Sequence, residues 1–235
     1  VLEPIYERCF IHDSYATRKG KGTHKAIERA QHFLLKTGWF WKSDIDKYFD
    51  SIRHDKLMSL LERKIKDRRL LNVIALILQN AASEGIGLPI GNLTSQFFAN
   101  VFLNGFDHFV KEDLRQPSYL RYMDDFVIFH QNKTALKALR QPVVAYLNDA
   151  LGLQLKDSAT FLNSAENGLT FLGRRIFPGT VRLARPNGRR MLRRMALRQR
   201  DFEKGRISET EFLQSMNSYW AQLEPFYGLR CKLVN

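Results

Sequence analysis

The segment Leu120-Arg121-Tyr122-Met123-Asp124-Asp125-Phe126-Val127-Ile128-Phe129 sets two carboxylates between β-prone apolar runs, with no other turn-forming residue present. Val, Ile, Phe and Tyr favour strands, so an Asp-Asp step between two such runs predicts a β-hairpin with both acids at its tip. The flanks are apolar almost without interruption, and the strands are expected to be covered on at least one face. Carboxylates fixed in that position suit Mg²⁺, which takes hard oxygen ligands and is commonly held by one or two carboxylates together with substrate phosphates. An isolated Asp pair is more often only a turn, so a second acidic site is needed to give the chemistry weight.

That second site lies upstream. Trp39-Phe40-Trp41-Lys42-Ser43 is aromatic and strand-like, and it ends at Asp44. Beyond it Ile52, Leu57, Leu60, Leu61 and Ile65 recur at roughly helical spacing, so Asp44 stands where a strand passes into a helix-containing segment. Two acidic strand ends of this kind can converge in one sheet. Asp50 and Asp55 read as ordinary solvated or helix-start acids.

These residues carry a family resemblance. Tyr122-Met123-Asp124-Asp125 resembles the signature hairpin of reverse transcriptases, and Asp44 with Phe49 five residues later resembles their first catalytic motif, an acid and an aromatic gate. Ser14-Tyr15, Arg18, Gly20 and His24 resemble the fingers-proximal motif of bacterial, group II intron-like members, and Phe171-Leu172-Gly173 resembles the motif joining palm to thumb. Gly87-Leu88-Pro89-Ile90-Gly91-Asn92-Leu93-Thr94-Ser95-Gln96 narrows the match. Most reverse transcriptases have Gln before the second glycine and Pro after the serine, where this chain has Ile90 and Gln96. The altered pattern resembles the enzymes of diversity-generating retroelements, phage and bacterial systems that copy a template RNA with adenine-directed errors. Phe97 to Asn100 and Asp107 to Lys111 fit the same group.

The fold class implied is α+β: a polymerase right-hand palm, with a ferredoxin-like antiparallel sheet and helices, partial fingers and a helical thumb. Residues 1–180 would form fingers and palm, and residues 181–235 the thumb. Periodicity predicts helices from about Gly22 to Leu35, Asp55 to Lys66, Leu70 to Ala82, Thr94 to Leu114 and Thr134 to Ala150, the last interrupted or kinked at Pro142. Short strands are expected at Leu153 to Lys156, Thr160 to Asn163, Leu169 to Phe177 and Val181 to Leu183.

From Val181 the composition changes. Arg182, Arg185, Arg189, Arg190, Arg193, Arg194, Arg198 and Arg200 fall in a stretch without acids. Arg189, Arg190, Arg193 and Arg194 lie in overlapping rows of one helix, which predicts a phosphate-facing surface, while Met191, Met195 and Phe202 can face inward. Ser208-Glu209-Thr210-Glu211 predicts a capping box for a further helix whose stripe of Phe212, Met216, Tyr219, Trp220 and Leu223 is expected to pack.

Composition agrees. A chain of 235 residues with 44% hydrophobic content can bury a core, and its formal charge of +13 points to a polyanionic partner. No apolar run is long enough to span a bilayer as a helix. Cys9 and Cys231 are the only cysteines, far apart and without metal-ligand spacing. A start at Val1, almost at the fingers-proximal motif, is expected of a fragment or a trimmed chain.

The resemblance implies an RNA-directed DNA polymerase, cytoplasmic and bacterial or phage-encoded. It would use template RNA, a DNA or RNA primer and dNTPs, with a basic accessory protein as a further partner and no membrane. Asp44, Asp124 and Asp125 are the implied catalytic carboxylates; with the Ile45 carbonyl they would hold two Mg²⁺ ions, Mn²⁺ being the alternative metal, and Asp125 would supply supporting charge. Phe49 would exclude a 2′-hydroxyl, and Ile90, Gly91, Gln96 and Tyr122 would line the nascent base pair. Arg18, Lys19 and Lys21 are expected at template or nucleotide, and Arg189, Arg190, Arg193 and Arg194 at template and primer. Two departures stand out: Ala159 precedes Thr160 where the family often has Lys, leaving Lys156 to protonate pyrophosphate, and the upstream fingers strands that normally contact the triphosphate have no counterpart. The competing readings are a conventional group II intron or retron polymerase and a catalytically idle RNA-binding palm. A nucleotidyl cyclase would share the acids but have no need of the arginines.

Overall fold

The computed structural model describes residues 2–79, 85–89 and 92–227. Its helices up to the acidic hairpin are α1 (Glu3–Glu7), α2 (Thr23–Lys36), α3 (Tyr48–Ser51), α4 (His54–Glu62), α5 (Arg68–Gln79) and α6 (Leu93–His108). Strand β1 (Trp39–Asp44) pairs antiparallel with β3 (Asp125–His130) on one side and with β4 (Phe161–Ser164) on the other. The hairpin partner β2 (Tyr119–Tyr122) closes the edge beside β3, giving the order β2-β3-β1-β4. The two acid-bearing strands are therefore the central pair.

Both faces of this sheet are covered, which explains why its strands read as continuous rather than alternating apolar runs. Trp41, Tyr119, Phe126 and Ile128 share one core with Leu57 and Leu61 of α4, Ile74 of α5, Phe102 and Phe106 of α6, and Leu136 and Val143 of α7 (Lys133–Ala145). Phe40, Leu120, Val127 and Phe129 face the other way, onto Ile27, Ala30 and Leu34 of α2. That second core also takes in Leu169, Phe171 and Ile176 of a three-stranded antiparallel sheet, β5 (Leu169–Phe171), β6 (Arg174–Ile176) and β7 (Val181–Leu183).

The predicted helices are present, with α6 continuing into a wider turn over Phe109–Asp113 and α7 running through Pro142 into another over Tyr146–Leu151. Two expected strands are corrected. Leu169 to Phe177 is not one strand but a hairpin, because Leu172 (φ 48°) and Gly173 (φ 76°) reverse the chain in left-handed conformations. Leu153 to Lys156 forms only a single bridge, Leu155 opposite Ile45. The part of the Leu70 to Ala82 helix beyond Gln79 lies outside the described residues.

The arginine-rich segment forms α8 (Arg185–Glu203), and α9 (Glu209–Tyr227) follows it. The capping box is made: Ser208 N–H donates to Glu211 Oε2 at 2.8 Å and Glu211 N–H to Ser208 Oγ at 3.3 Å. Phe202 stacks on Phe212 with ring centroids 4.9 Å apart. Met191, Met195, Phe212, Met216 and Tyr219 are half-buried, whereas Trp220 is 62% exposed.

One buried charge pair pins the hairpin. The guanidinium of Arg121, on β2, donates to both Asp107 oxygens at 2.7 and 2.6 Å, and neither side chain is exposed. It also donates to Asn100 Oδ1 at 3.1 Å, Ser14 Oγ at 3.3 Å and the Met123 carbonyl at the hairpin tip at 2.8 Å. Tyr119 adds a hydroxyl to Asp107 at 2.6 Å. Removing one partner of such a pair strands a desolvated charge, so Arg121→Met is expected to cost about 3 to 5 kcal/mol in urea unfolding. Asp107→Leu combined with Arg121→Met should be less damaging than either change alone; simple additivity would show that the pair is not coupled.

Candidate active site

Strand register brings the acids together. Asp44 lies directly opposite Asp125 across the β1–β3 ladder, and Tyr122 lies opposite Asp125 across β2–β3. The Asp44 carbonyl accepts from Lys156 N–H at 2.8 Å on the far side of β1, and Asp46 N–H donates to the Gln154 carbonyl at 2.8 Å on the same side. Asp44 and Asp125 are thus a non-hydrogen-bonded pair, the closer kind of cross-strand neighbour, with Cα atoms about 4.5 Å apart. Successive residues of a strand direct their peptide groups to opposite edges, so Ile45 turns its carbonyl toward the hairpin where Asp124 sits. The hairpin tip is narrower than expected: Met123 and Asp124 form the turn, and Asp125 is already the first residue of β3.

The local backbone is held out of its ordinary range. Thr17, Lys47 and Met123 are non-glycine residues with φ of 52°, 42° and 58°. Lys47 follows the Asp44 strand end and Met123 immediately precedes Asp124. Each such conformation costs about 1 to 2 kcal/mol and persists only where its surroundings fix it. For Met123 the fixing contact is the carbonyl bond from buried Arg121.

The carboxylates repel one another in a poorly solvated place. Burial, and then the charge of Asp44, raises the Asp124 carboxyl above the usual carboxylate range. Burial pushes Asp125 up to about 7, against the opposing pull of Lys42. Lys42 Nζ is 3.0 Å from Asp125 Oδ1, in ion-pair contact but off the line of a hydrogen bond, so this buried oxygen has no aligned donor. Among the described residues no group of three or more His, Cys, Asp or Glu side chains could hold a metal ion by itself. The site offers instead a few hard oxygens on one side only, the kind of partial shell that Mg²⁺ completes with water and substrate phosphates. Asp44, Asp124 and the Ile45 carbonyl fit that description, with Asp125 beside them in contact with Lys42.

Other expected site residues are placed as follows. Phe49 is half-buried against Tyr48, and its carbonyl accepts from Leu88 N–H at 2.8 Å. His54 Nε2 lies 2.7 Å from the Gly87 carbonyl, so the segment leading toward Ile90 is tied to the base of α3 and α4. Ile90 and Gly91 themselves lie outside the described residues. Gln96, in the first turn of α6, accepts through Oε1 from Thr17 Oγ1 at 2.8 Å. Tyr122 is half-buried, its hydroxyl 3.2 Å from Thr23 Oγ1.

The basic residues divide. Arg18 is occupied structurally: it grips Glu7 through Nε and Nη2, donates to the Ile11 and Ser14 carbonyls at 2.6 and 2.8 Å, and has a side chain 5% exposed. It braces the loop instead of presenting a cation. Lys21 is tied to the His12 carbonyl at 2.7 Å, whereas Lys19 is exposed. Arg189, Arg190, Arg193 and Arg194 are all exposed on α8. Lys156 is also exposed, and its backbone adjoins that of Asp44. Sequence reasoning assigned no role to Lys42, Asp107, Arg121 or Asp13. The last is a buried acid that Arg29 and Lys111 hold at about 2 although burial alone would raise it.

A mixed sheet-and-helix unit with acids on its two central strands has the arrangement of a polymerase palm. Comparison with known proteins agrees and is more specific. Residues 1–176 match the family model described as reverse transcriptase (RNA-dependent DNA polymerase), and the chain belongs to the reverse transcriptase family. It is 28% identical to Protein YkfC of Escherichia coli, covering 74% of this chain and 58% of that one. It is 32% identical to the group II intron-encoded protein LtrA of Lactococcus lactis, over 47% of this chain and 20% of that one. The chain therefore spans only part of the length of these relatives. Among solved structures it resembles apo telomerase of Candida tropicalis (TM-score 0.59, 16% identity, 77% of this chain and 43% of that one). The telomerase of Candida albicans in complex with a fragment of telomeric RNA is similar in fold (TM-score 0.60, 11% identity, 77% and 37%). Among the described residues no helix is long and apolar enough to cross a membrane.

The raised acids make stability depend on pH in a definite direction. Between the unfolded carboxylate value near 4 and the folded value of about 7, the folded chain holds a proton on Asp125 that the unfolded chain has released. Without divalent metal, stability should therefore fall as pH rises through that window. Asp125→Asn should flatten the fall and Lys42→Met should extend it to higher pH, read by urea unfolding at a series of pH values in chelator. A wild-type curve that rises with pH across the window would contradict this.

Proposed function

We propose that this chain is the catalytic part of an RNA-directed DNA polymerase, and that it copies with raised error at template adenines in a diversity-generating retroelement. The observation that carries the polymerase reading is the register of Asp44 against Asp125, with Asp124 beside them on a tip pinned by Arg121. Bound there, a pair of Mg²⁺ ions would supply Lewis acidity to the primer 3′-hydroxyl and to the triphosphate in an in-line displacement. Asp44, Asp124 and the Ile45 carbonyl would hold those ions. Lys42 keeps Asp125 turned toward its ammonium and so leaves the other two acids for the metals. Phe49 lies under the incoming sugar and selects against a 2′-hydroxyl. Residues 181–235 serve as thumb, with the exposed arginines of α8 on the phosphates of template and primer; a basic accessory protein completes the assembly.

The error-prone part rests on Ile90 and Gln96. An apolar, branched Ile90 offers the nascent pair no hydrogen bond, and Gln96 is engaged by Thr17. A pocket so built discriminates by shape, where small changes shift selectivity by about 1 to 3 kcal/mol. A second reading, a conventional group II intron polymerase, is favoured by the similarity to LtrA. The test that separates the two is made at Ile90 and Gln96.

Asp44→Ala and Asp124→Ala should each abolish single-nucleotide dNTP incorporation on an RNA template while changing RNA affinity less than about threefold, because phosphate contacts and not the metal site carry affinity. Turnover at the wild-type rate by either variant would sink the assignment. For fidelity, cDNA pools copied from one RNA template are sequenced. Ile90→Gln, alone or with Gln96→Pro, should reduce misincorporation opposite adenine about tenfold or more, and less opposite other bases. Equal adenine error across the set would favour the conventional reading.

A further inference from the structure

The outer face of the β5–β7 sheet carries a charge arrangement that the fold does not need. Leu169, Ile176 and Val181 lie in register and belong to the core, as does Phe171 in the row of Arg174 and Leu183; the row between them, Thr170, Arg175 and Arg182, points outward. Arg175 and Arg182 are direct cross-strand neighbours. Like charges in that position repel, and among the described residues no carboxylate pairs with Arg175, Arg182 or Arg185.

Between them stands an aromatic ring. Arg175 and Arg182 approach the Phe177 ring, their guanidinium carbons 6.0 and 5.7 Å from its centroid. Phe177 is half-buried, and its seat requires a glycine: a Cβ at Gly168 (φ 75°) would come within 2.7 Å of the ring. Arg175 is fixed as well, donating to Thr170 Oγ1 at 2.6 Å and to the Asn167 carbonyl. The exposed Arg182 and Arg185 remain available. These groups line a cavity of about 680 Å³ that Thr170 and Ala184 help to bound. Unpaired cations beside a rigid aromatic face, in a concave site, match what single-stranded nucleic acid binds: phosphates on the arginines and a base on the ring.

We propose that this face is a second binding site for single-stranded RNA, distinct from Arg189, Arg190, Arg193 and Arg194 although it takes in Arg185 at the start of α8, and independent of whether the palm is catalytically active. Arg182 and Arg185 take backbone phosphates and Phe177 stacks a base. An acidic polypeptide would use the arginines but not the ring.

The test uses the full chain carrying Arg189→Ala, Arg190→Ala, Arg193→Ala and Arg194→Ala, so that α8 no longer dominates binding. The probe is a fluorescein-labelled oligouridylate of about twelve nucleotides, within the span one compact binding face covers, read by anisotropy. Arg182→Glu with Arg185→Glu should weaken binding at least about tenfold near 0.1 M salt and lower the log–log salt slope by about 0.7 for each phosphate no longer held. Lys64→Glu with Lys66→Glu, an equal charge change on exposed residues elsewhere, should weaken it less than about threefold. Phe177→Leu, which still fills the space over Gly168, should weaken the oligouridylate several-fold and leave an abasic oligomer of the same length unaffected. With the arginine background alone, a 5-iodouridine oligomer should photocrosslink to the peptide containing Phe177. Equal losses in both charge-reversal pairs, no crosslink at that peptide, or polyglutamate and the abasic oligomer competing as well as oligouridylate would each overturn the proposal. Primer extension is measured separately, so its absence would count against the polymerase reading and not against this site.

Discussion

The Arg121–Asp107 pair is the constraint on which the geometry of the site depends. It joins β2 to the end of α6, and through Asn100 and Ser14 it reaches the middle of α6 and the loop before α2. One guanidinium therefore ties the hairpin, the long helix beneath it and the loop beside it. Its bond to the Met123 carbonyl carries that rigidity to the residue before Asp124. Burying such a pair costs desolvation energy that an apolar cluster would avoid. What the ion pair offers in return is direction: five planar donors fix positions that packing alone would leave free to slide.

The acids are held by register and the pair by packing, and these differ in how openly the sequence displays them. The hairpin, β1 and the stripe of α6 were legible because each is a local pattern: an apolar run, a turn, a period of about 3.6. Asp44 and Asp124 were legible as strand-end acids, and the resemblance gave them a partner. Asp107 and Arg121 were not. Each looks like a polar residue at the margin of an apolar run, and only folding reveals that their charges meet inside it. Lys42 was hidden for a similar reason, since its relation to Asp125 is a diagonal across β1 and β3.

Misreadings had equally specific causes. Leu169 to Phe177 looks like one strand because Leu172 is a poor turn residue; its left-handed conformation is imposed by the neighbouring Gly173 turn and by packing beneath it. Arg18 looks like a phosphate ligand because its neighbours Lys19 and Lys21 are basic, yet Glu7 and two carbonyls claim it. Trp220 falls on the apolar stripe of α9 by spacing yet is 62% exposed. A basic, aromatic-rich chain presents more candidate phosphate ligands than it can use, and burial decides among them.

The bond from Leu88 N–H to the Phe49 carbonyl joins two parts of the pocket that chemistry would treat as separate. Under the proposed roles Phe49 would judge the sugar, and Leu88 precedes by two positions in sequence the Ile90 proposed to judge the base. Because their backbones share a peptide hydrogen bond, a displacement of one segment is expected to reach the other without passing through any nucleotide. In evolutionary terms, under the proposed roles, the two positions are not free to drift apart: a change at Leu88 that relaxed the choice of base would disturb the sugar gate at Phe49, and a lineage would have to settle both at once.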